Sequence, residues 1–167
     1  QTMLPDMIEK IAYELMSPDQ IKTFEANWEM NLSFGVPNVG NFRVNIFRQR
    51  GSTSIVIRFI LGNIPALDGL GLPNILGELI MEKRGLILIV GATGSGKSTT
   101  IASMLDHRNA NRSGHILTVE DPIEFLFKHK KSIVNQREIG MDTVDWQSAL
   151  KNAMRQAPDC ILIGEIR

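Results

Sequence analysis

Apolar residues at Leu4, Ile8, Ile11, Ala12 and Leu15 recur at the spacing of one helical face, which predicts a packed helix over Leu4 to Leu15. Ser17-Pro18-Asp19-Gln20 follows with an N-cap serine, a proline at the first helical position and a capping-box glutamine, so a second helix starts there and ends near Trp28. The period then changes. Trp28, Met30, Leu32 and Phe34 alternate with polar or small residues, as do Phe42, Val44 and Ile46, and then Ile55, Ile57 and Phe59. A period of two predicts three strands with one apolar face. Pro37-Asn38-Val39-Gly40-Asn41 and Gln49-Arg50-Gly51-Ser52 supply turn chemistry between them, which makes the neighbours antiparallel hairpin partners.

Gly62 to Pro73, with two prolines and three glycines, has the composition of a linker. Beyond it the pattern becomes short, fully apolar runs separated by helical segments: Leu86 to Val90, Ile116 to Val119 and Ile161 to Ile163. Such runs suit strands buried on both faces of a parallel sheet. The expected organisation is therefore a small α+β unit over residues 1–61, a linker over 62–73 and an α/β P-loop domain over 74–167.

Composition narrows the function. With 43% hydrophobic residues the chain can bury a core, and eighteen basic against eighteen acidic residues leave no electrostatic footprint for nucleic acid. The basic cluster Lys128-His129-Lys130-Lys131 reads as a solvated turn, and His107, His115 and His129 as surface or packing residues. Cys160 has no second thiol to pair with and reads as buried and inert. No apolar stretch approaches the roughly 18 residues that span a bilayer, and no basic-then-apolar leader opens the chain, so a cytoplasmic protein is expected. Gln1 is not an initiator methionine and Arg167 directly follows a strand, so the chain is expected to be a piece of a longer protein.

Gly91-Ala92-Thr93-Gly94-Ser95-Gly96-Lys97-Ser98 fits the phosphate-binding P-loop in full, after an apolar run and before the helical stretch that begins at Thr99. Glycines let successive amides converge on phosphate oxygens, and the new helix adds the positive end of its dipole. In that pattern Lys97 reaches the β- and γ-phosphates of ATP and the Ser98 hydroxyl ligates Mg²⁺. Hydrolysis also needs carboxylates to position water and hold the metal. Two strand ends supply them: Glu120, Asp121 and Glu124 around Pro122, and Glu165 after Ile161-Leu162-Ile163-Gly164. In open α/β sheets such ends face the ligand crevice, although strand or helix capping is the plainer use of an isolated acid.

On these residues the chain resembles the secretion-motor ATPases of type II secretion and type IV pili. Gly164-Glu165-Ile166-Arg167 resembles that family's unusual Walker B, and Glu120-Asp121-Pro122-Ile123-Glu124 its Asp box. Phe42-Arg43-Val44-Asn45, Gln136-Arg137-Glu138 and Ala153-Met154-Arg155-Gln156-Ala157-Pro158-Asp159 resemble the pilus-retraction branch, and Arg48-Gln49-Arg50-Gly51 with Gly91-Ala92-Thr93-Gly94 its accessory ATPases.

The resemblance implies a PAS-like amino-terminal domain, a RecA-like P-loop domain, Glu120 as catalytic base or water-positioner and Glu165 as the metal-side carboxylate. It also implies Arg43 and Arg58 as fingers reaching a neighbouring subunit's γ-phosphate, where solvation of an exposed sheet face is the simpler reading. By the same resemblance the protein is a cytoplasmic homohexamer at the inner-membrane pilus platform, working with a platform protein and a second retraction ATPase. A His box and carboxyl-terminal helices are expected after Arg167, so the chain by itself is expected not to turn over ATP. A pilus-assembly or type II secretion ATPase, or a nucleotide-gated binding module without turnover, are the competing readings.

Overall fold

The structure is a computed structural model and describes residues 4–37, 39–60 and 62–165. The chain divides into two compact units, Gln1–Ile60 and Leu61–Arg167. In the first, helix α1 spans Pro5–Leu15 and α2 spans Pro18–Asn27. The Ser17 hydroxyl accepts from the Gln20 N–H while the Gln20 side chain accepts from the Ser17 N–H, forming the expected reciprocal cap. Trp28 ends the second helix as expected but lies outside the strand alternation read from it. It adopts a left-handed conformation (φ 61°), donates its N–H to the Phe24 carbonyl and is 65% exposed, so it ends α2 rather than starting a strand.

Strands β1 (Glu29–Val36), β2 (Gly40–Gln49) and β3 (Ser52–Ile60) form an antiparallel sheet in the order β1-β2-β3. The β2–β3 turn has positive φ at both Arg50 (50°) and Gly51 (80°), the twist that matches the flanking strands. Of the turn read at Pro37 to Asn41, Asn38 lies outside the described residues. Part of the sheet's apolar face packs on the helices: Leu32, Val44 and Ile46 are buried with Ala12, Met16 and Phe24, and Met30, Phe34 and Ile55 pack around them, whereas Ile57 and Phe59 are 50% and 52% exposed. That burial is the principal stabilising contribution of the unit. Arg43 and Arg58 are register partners and fall on the alternate face.

In the second unit the segment expected as an open linker contains a 3-10 turn at Leu67–Leu70, with Leu67 buried and the turn against α4. Helix α3 spans Ile75–Met81 and α4 spans Lys97–Asn111. Strands β4 (Gly114–Glu120), β5 (Ser132–Glu138) and β6 (Cys160–Ile163) form a parallel sheet in the order β5-β4-β6, with α5 (Trp146–Ala153) between β5 and β6. Leu105, Ile116 and Val134 make its core, with Ile80, Ile101, Phe127, Cys160 and Leu162 around them. Arg108, buried in α4, donates to the Ile80 and Glu82 carbonyls at 2.6 and 3.2 Å, and Arg112 donates to Met81 at 2.6 Å. Two cations thus hold the carbonyl end of α3.

The strand expected over Leu86 to Val90 is not present. The run has no ladder partner among the described residues, and Leu86, Leu88 and Val90 are 80%, 64% and 90% exposed. An apolar run becomes a strand only where a neighbour offers backbone partners and cover, and the sheet's described strands pair only with one another. No described helix is long and apolar enough to cross a membrane.

Candidate functional site

The P-loop turns through Gly94 (φ 79°) and Gly96 (φ 90°), both in the left-handed region where a side chain would be strained. At Gly91 a Cβ would stand 2.7 Å from the Ser95 Oγ, so a side chain there would require that hydroxyl to turn away. Gly96 is the N-cap of α4 and gives it no side-chain acceptor, which leaves the first helical amides to an anion. Gly91, Ala92, Thr93, Gly94, Ser95, Gly96 and Ser98 are exposed, while Lys97 and Thr99 are half-buried. The Lys97 ammonium lies across the loop and donates to the Ala92 carbonyl at 2.8 Å.

One pocket of this unit gathers Ser98 from the start of α4 with Glu120, Asp121 and Glu124 from the end of β4 and Glu165 from the end of β6. Parallel pairing brings these together: β4 and β6 run side by side from Ile116↔Cys160 to Val119↔Ile163, so their carboxyl ends open on the same side. The Gly164 N–H donates to the Val119 carbonyl at 2.9 Å, carrying the contact past the last paired residues. Of the motif Gly164-Glu165-Ile166-Arg167, the last two residues lie outside the described residues.

Glu120 is 7% exposed. Burial holds its carboxyl above the ordinary carboxylate range, opposed by hydrogen bonds from Thr118, Gln136 and the Glu124 backbone and reinforced by the charge of Glu124. The Thr118 hydroxyl donates to Oε1 at 2.6 Å and the Gln136 amide at 3.3 Å. After β4 the chain turns through a cis Asp121–Pro122 peptide. The following segment is fixed to β5 by side chains: Glu138 accepts from the Ile123 N–H at 3.0 Å, and Gln136 accepts from the Phe127 N–H at 2.9 Å and donates to the Phe125 carbonyl at 2.8 Å.

Thr118 and the β5 side chains were given no role by sequence. A signal existed: Thr118 and Glu120, like Gln136 and Glu138, are two apart on strands and share a face. Asp159, in the stretch that resembles the retraction branch, has a structural place, accepting from the His115 N–H at 2.8 Å and donating its own N–H to the His115 carbonyl. The basic cluster is largely the surface turn expected of it, with Lys130 paired to Asp106 at 2.6 Å and His129 Nδ1 accepting from the Val134 N–H. Burial pushes the Cys160 thiol up, Arg108 opposing, which fits an unreactive side chain.

Arg43 and Arg58 belong to the amino-terminal unit, where they form one cross-strand row with Ser33. Arg48 is engaged within that unit: it pairs with Glu9 at 3.0 Å, donates to Thr53 at 2.9 Å and lies 5.3 Å over the Phe24 ring.

Among the described residues no three His, Cys, Asp or Glu side chains are grouped to hold a metal ion unaided. The Ser98 hydroxyl and Glu165 carboxylate are hard oxygen donors in one pocket, which fits a Mg²⁺ shared with phosphate oxygens.

Residues 26–167 match the family model described as type II/IV secretion system protein. The chain is 47% identical over 163 residues to the type IV pilus ATPase PilU of Pseudomonas aeruginosa, covering 98% of this chain and 43% of that protein. It is 44% identical over 160 residues to the type IV pilus retraction ATPase PilT of the same organism, covering 96% and 46%. A crystal structure of the pilus retraction motor PilT with bound ADP superposes with a TM-score of 0.91 at 53% identity, covering 95% of this chain and 46% of that one. The chain thus spans less than half the length of these relatives.

Proposed function

We propose that this chain, which belongs to the type II/IV secretion system protein family, carries the nucleotide-hydrolysing core of a motor that powers type IV pilus retraction. The observation that carries this is the pocket in which Ser98 of the P-loop meets Glu120 and Glu165 from two parallel strand ends. Phosphate binding alone gives no use to a buried carboxylate opposite the loop, whereas cleavage can use one to orient the attacking water.

In this function the amides of Gly91 to Thr99 and the Lys97 ammonium bind the phosphates of ATP, and Glu120 orients the attacking water and takes its proton. Ser98 and Glu165 would hold Mg²⁺, which would neutralise charge on the phosphate oxygens. Arg43 and Arg58, on the amino-terminal unit that we take to be PAS-like, act on the γ-phosphate held by a neighbouring subunit. A guanidinium is always charged and can contact phosphate through two donors. The working form is then a homohexamer in the cytoplasm at the inner-membrane pilus base, engaging a platform protein and a second retraction ATPase. Retraction is favoured over assembly because PilU and PilT match almost the whole chain.

The test is steady-state phosphate release by the intact protein with and without Mg²⁺. Metal-dependent turnover that Lys97→Ala abolishes, in a variant with unchanged circular dichroism, supports the motor. ATP binding without phosphate release by the wild-type protein would instead indicate a nucleotide-gated binding module.

A further inference from the structure

We infer that Thr118 and Gln136 are positioning residues for hydrolysis, together fixing the Glu120 carboxylate, and that Gln136 ties its setting to the segment after β4. The backbone brings the two donors to one place: Thr118 and Gln136 are register partners on the parallel strands β4 and β5. Both side-chain bonds to Glu120 end on the same oxygen, Oε1, at 2.6 and 3.3 Å. Two donors on one oxygen resist rotation of the carboxylate about its terminal bond. A base must present a defined lone pair to its water, so that restraint bears directly on rate.

Gln136 uses its whole amide. Nε2 donates to Glu120 Oε1 and to the Phe125 carbonyl, and Oε1 accepts from the Phe127 N–H. The opposite amide orientation would set oxygen against the carboxylate and NH₂ against an N–H, so the network itself fixes which way the group points. Phe125, Phe127 and Glu124 line the same pocket as Glu120 and Ser98. One side chain therefore sets both the base and the wall beside it. Thr118 is fully buried, and its hydroxyl is directed at the carboxylate rather than at a backbone carbonyl. Neither residue touches the reacting atoms; each acts through Glu120.

Because this role rests on Glu120 acting as proposed above, the test compares it with Glu120→Gln in the intact protein. Thr118→Val and Gln136→Met are expected to lower kcat at saturating Mg-ATP by roughly tenfold or more, with KM within about twofold of wild type. Thr118→Ser, which keeps the hydroxyl, is expected to recover most of the rate lost in Thr118→Val. Wild-type kcat in both Thr118→Val and Gln136→Met, with Glu120→Gln inactive, overturns the positioning role and leaves the base in place. Wild-type turnover by Glu120→Gln overturns the base itself. If Gln136→Met does not fold, the Thr118→Val and Thr118→Ser pair decides: equal losses in the two, with Tm and KM changed alike, show a merely structural threonine.

Discussion

A Cβ at Gly164 would lie 3.2 Å from the Glu120 Cα and 3.3 Å from its Cγ, so the end of β6 passes the base too closely for a methyl group to fit without a small shift. The obstructing atoms include backbone, which yields less readily than the far end of a side chain. Gly164→Ala is therefore expected to shift Glu120 by a few tenths of an ångström and lower kcat roughly tenfold, while nucleotide affinity stays near wild type. Single-turnover hydrolysis beside equilibrium binding of an ATP analogue separates the two; unchanged hydrolysis would show that β6 yields instead.

Glu120→Gln is expected to abolish cleavage and to raise Tm at neutral pH. The sign follows from burial, which lifts the folded-state pKa above the unfolded one, so the ionised carboxyl opposes folding above that pKa and its neutral analogue does not. For the wild type, kcat should fall as pH drops through the raised value, giving an acid limb above the ~4.3 of an ordinary glutamate. Asp121, Glu124 and Glu165 line the same pocket and Glu138 stands opposite Glu120 in register. A lower Tm in Glu120→Gln, or an acid limb at the ordinary value, would contradict the environment described for this group.

Arg58→Ala and Arg43→Ala are each expected to depress hydrolysis in trans, Arg58→Ala by on the order of 10³ if it acts as an arginine finger. Mixing Arg58→Ala subunits with Lys97→Ala subunits of the intact protein should restore a fraction of the activity, since some interfaces then combine a sound P-loop with a sound arginine. Background activity at every ratio, with mixed rings verified by mass, would count against it.

Asp145 caps α5, accepting from the Ser148 N–H at 2.6 Å, and the Ser148 backbone followed by its side chain holds the carboxyl below its ordinary value. A depressed folded-state pKa stabilises above the unfolded value and is lost as pH falls through the folded one. Asp145→Ala should accordingly lower Tm at neutral pH, with the difference narrowing on acidification, whereas Asp145→Asn should retain more of the cap. Thermal melts across acid pH read this directly; a gap that stays constant with pH would remove the charge from the explanation.

Local chemistry was the most legible part of the sequence. The Ser17 and Gln20 cap, the turn at Arg50-Gly51 and the glycines of the P-loop each depend on residues within a few positions of one another. Glu120 and Glu165 were also legible, because an acid that ends an apolar run stands out. Thr118 and Gln136 did not, since their meaning depends on β4 and β5 being parallel neighbours in one register, and β5 itself, Ser-Ile-Val-Asn-Gln-Arg-Glu, is polar enough to pass for loop. The misread strand at Leu86 to Val90 fails for a related reason: hydrophobicity reports what a segment could pair with, and pairing is decided elsewhere in the chain.

The Leu86 to Val90 run, which has no ladder partner among the described residues, carries the P-loop directly on its carboxyl end. Exposed amides without ladder partners are expected to exchange readily with solvent, whereas those of β4, with a strand on each edge, are expected to be protected. The phosphate cradle is thus carried by a segment whose backbone has no ladder partner among the described residues. If nucleotide binds more tightly when a strand is seated against residues 86–90, linkage requires that each strengthens the other by the same factor.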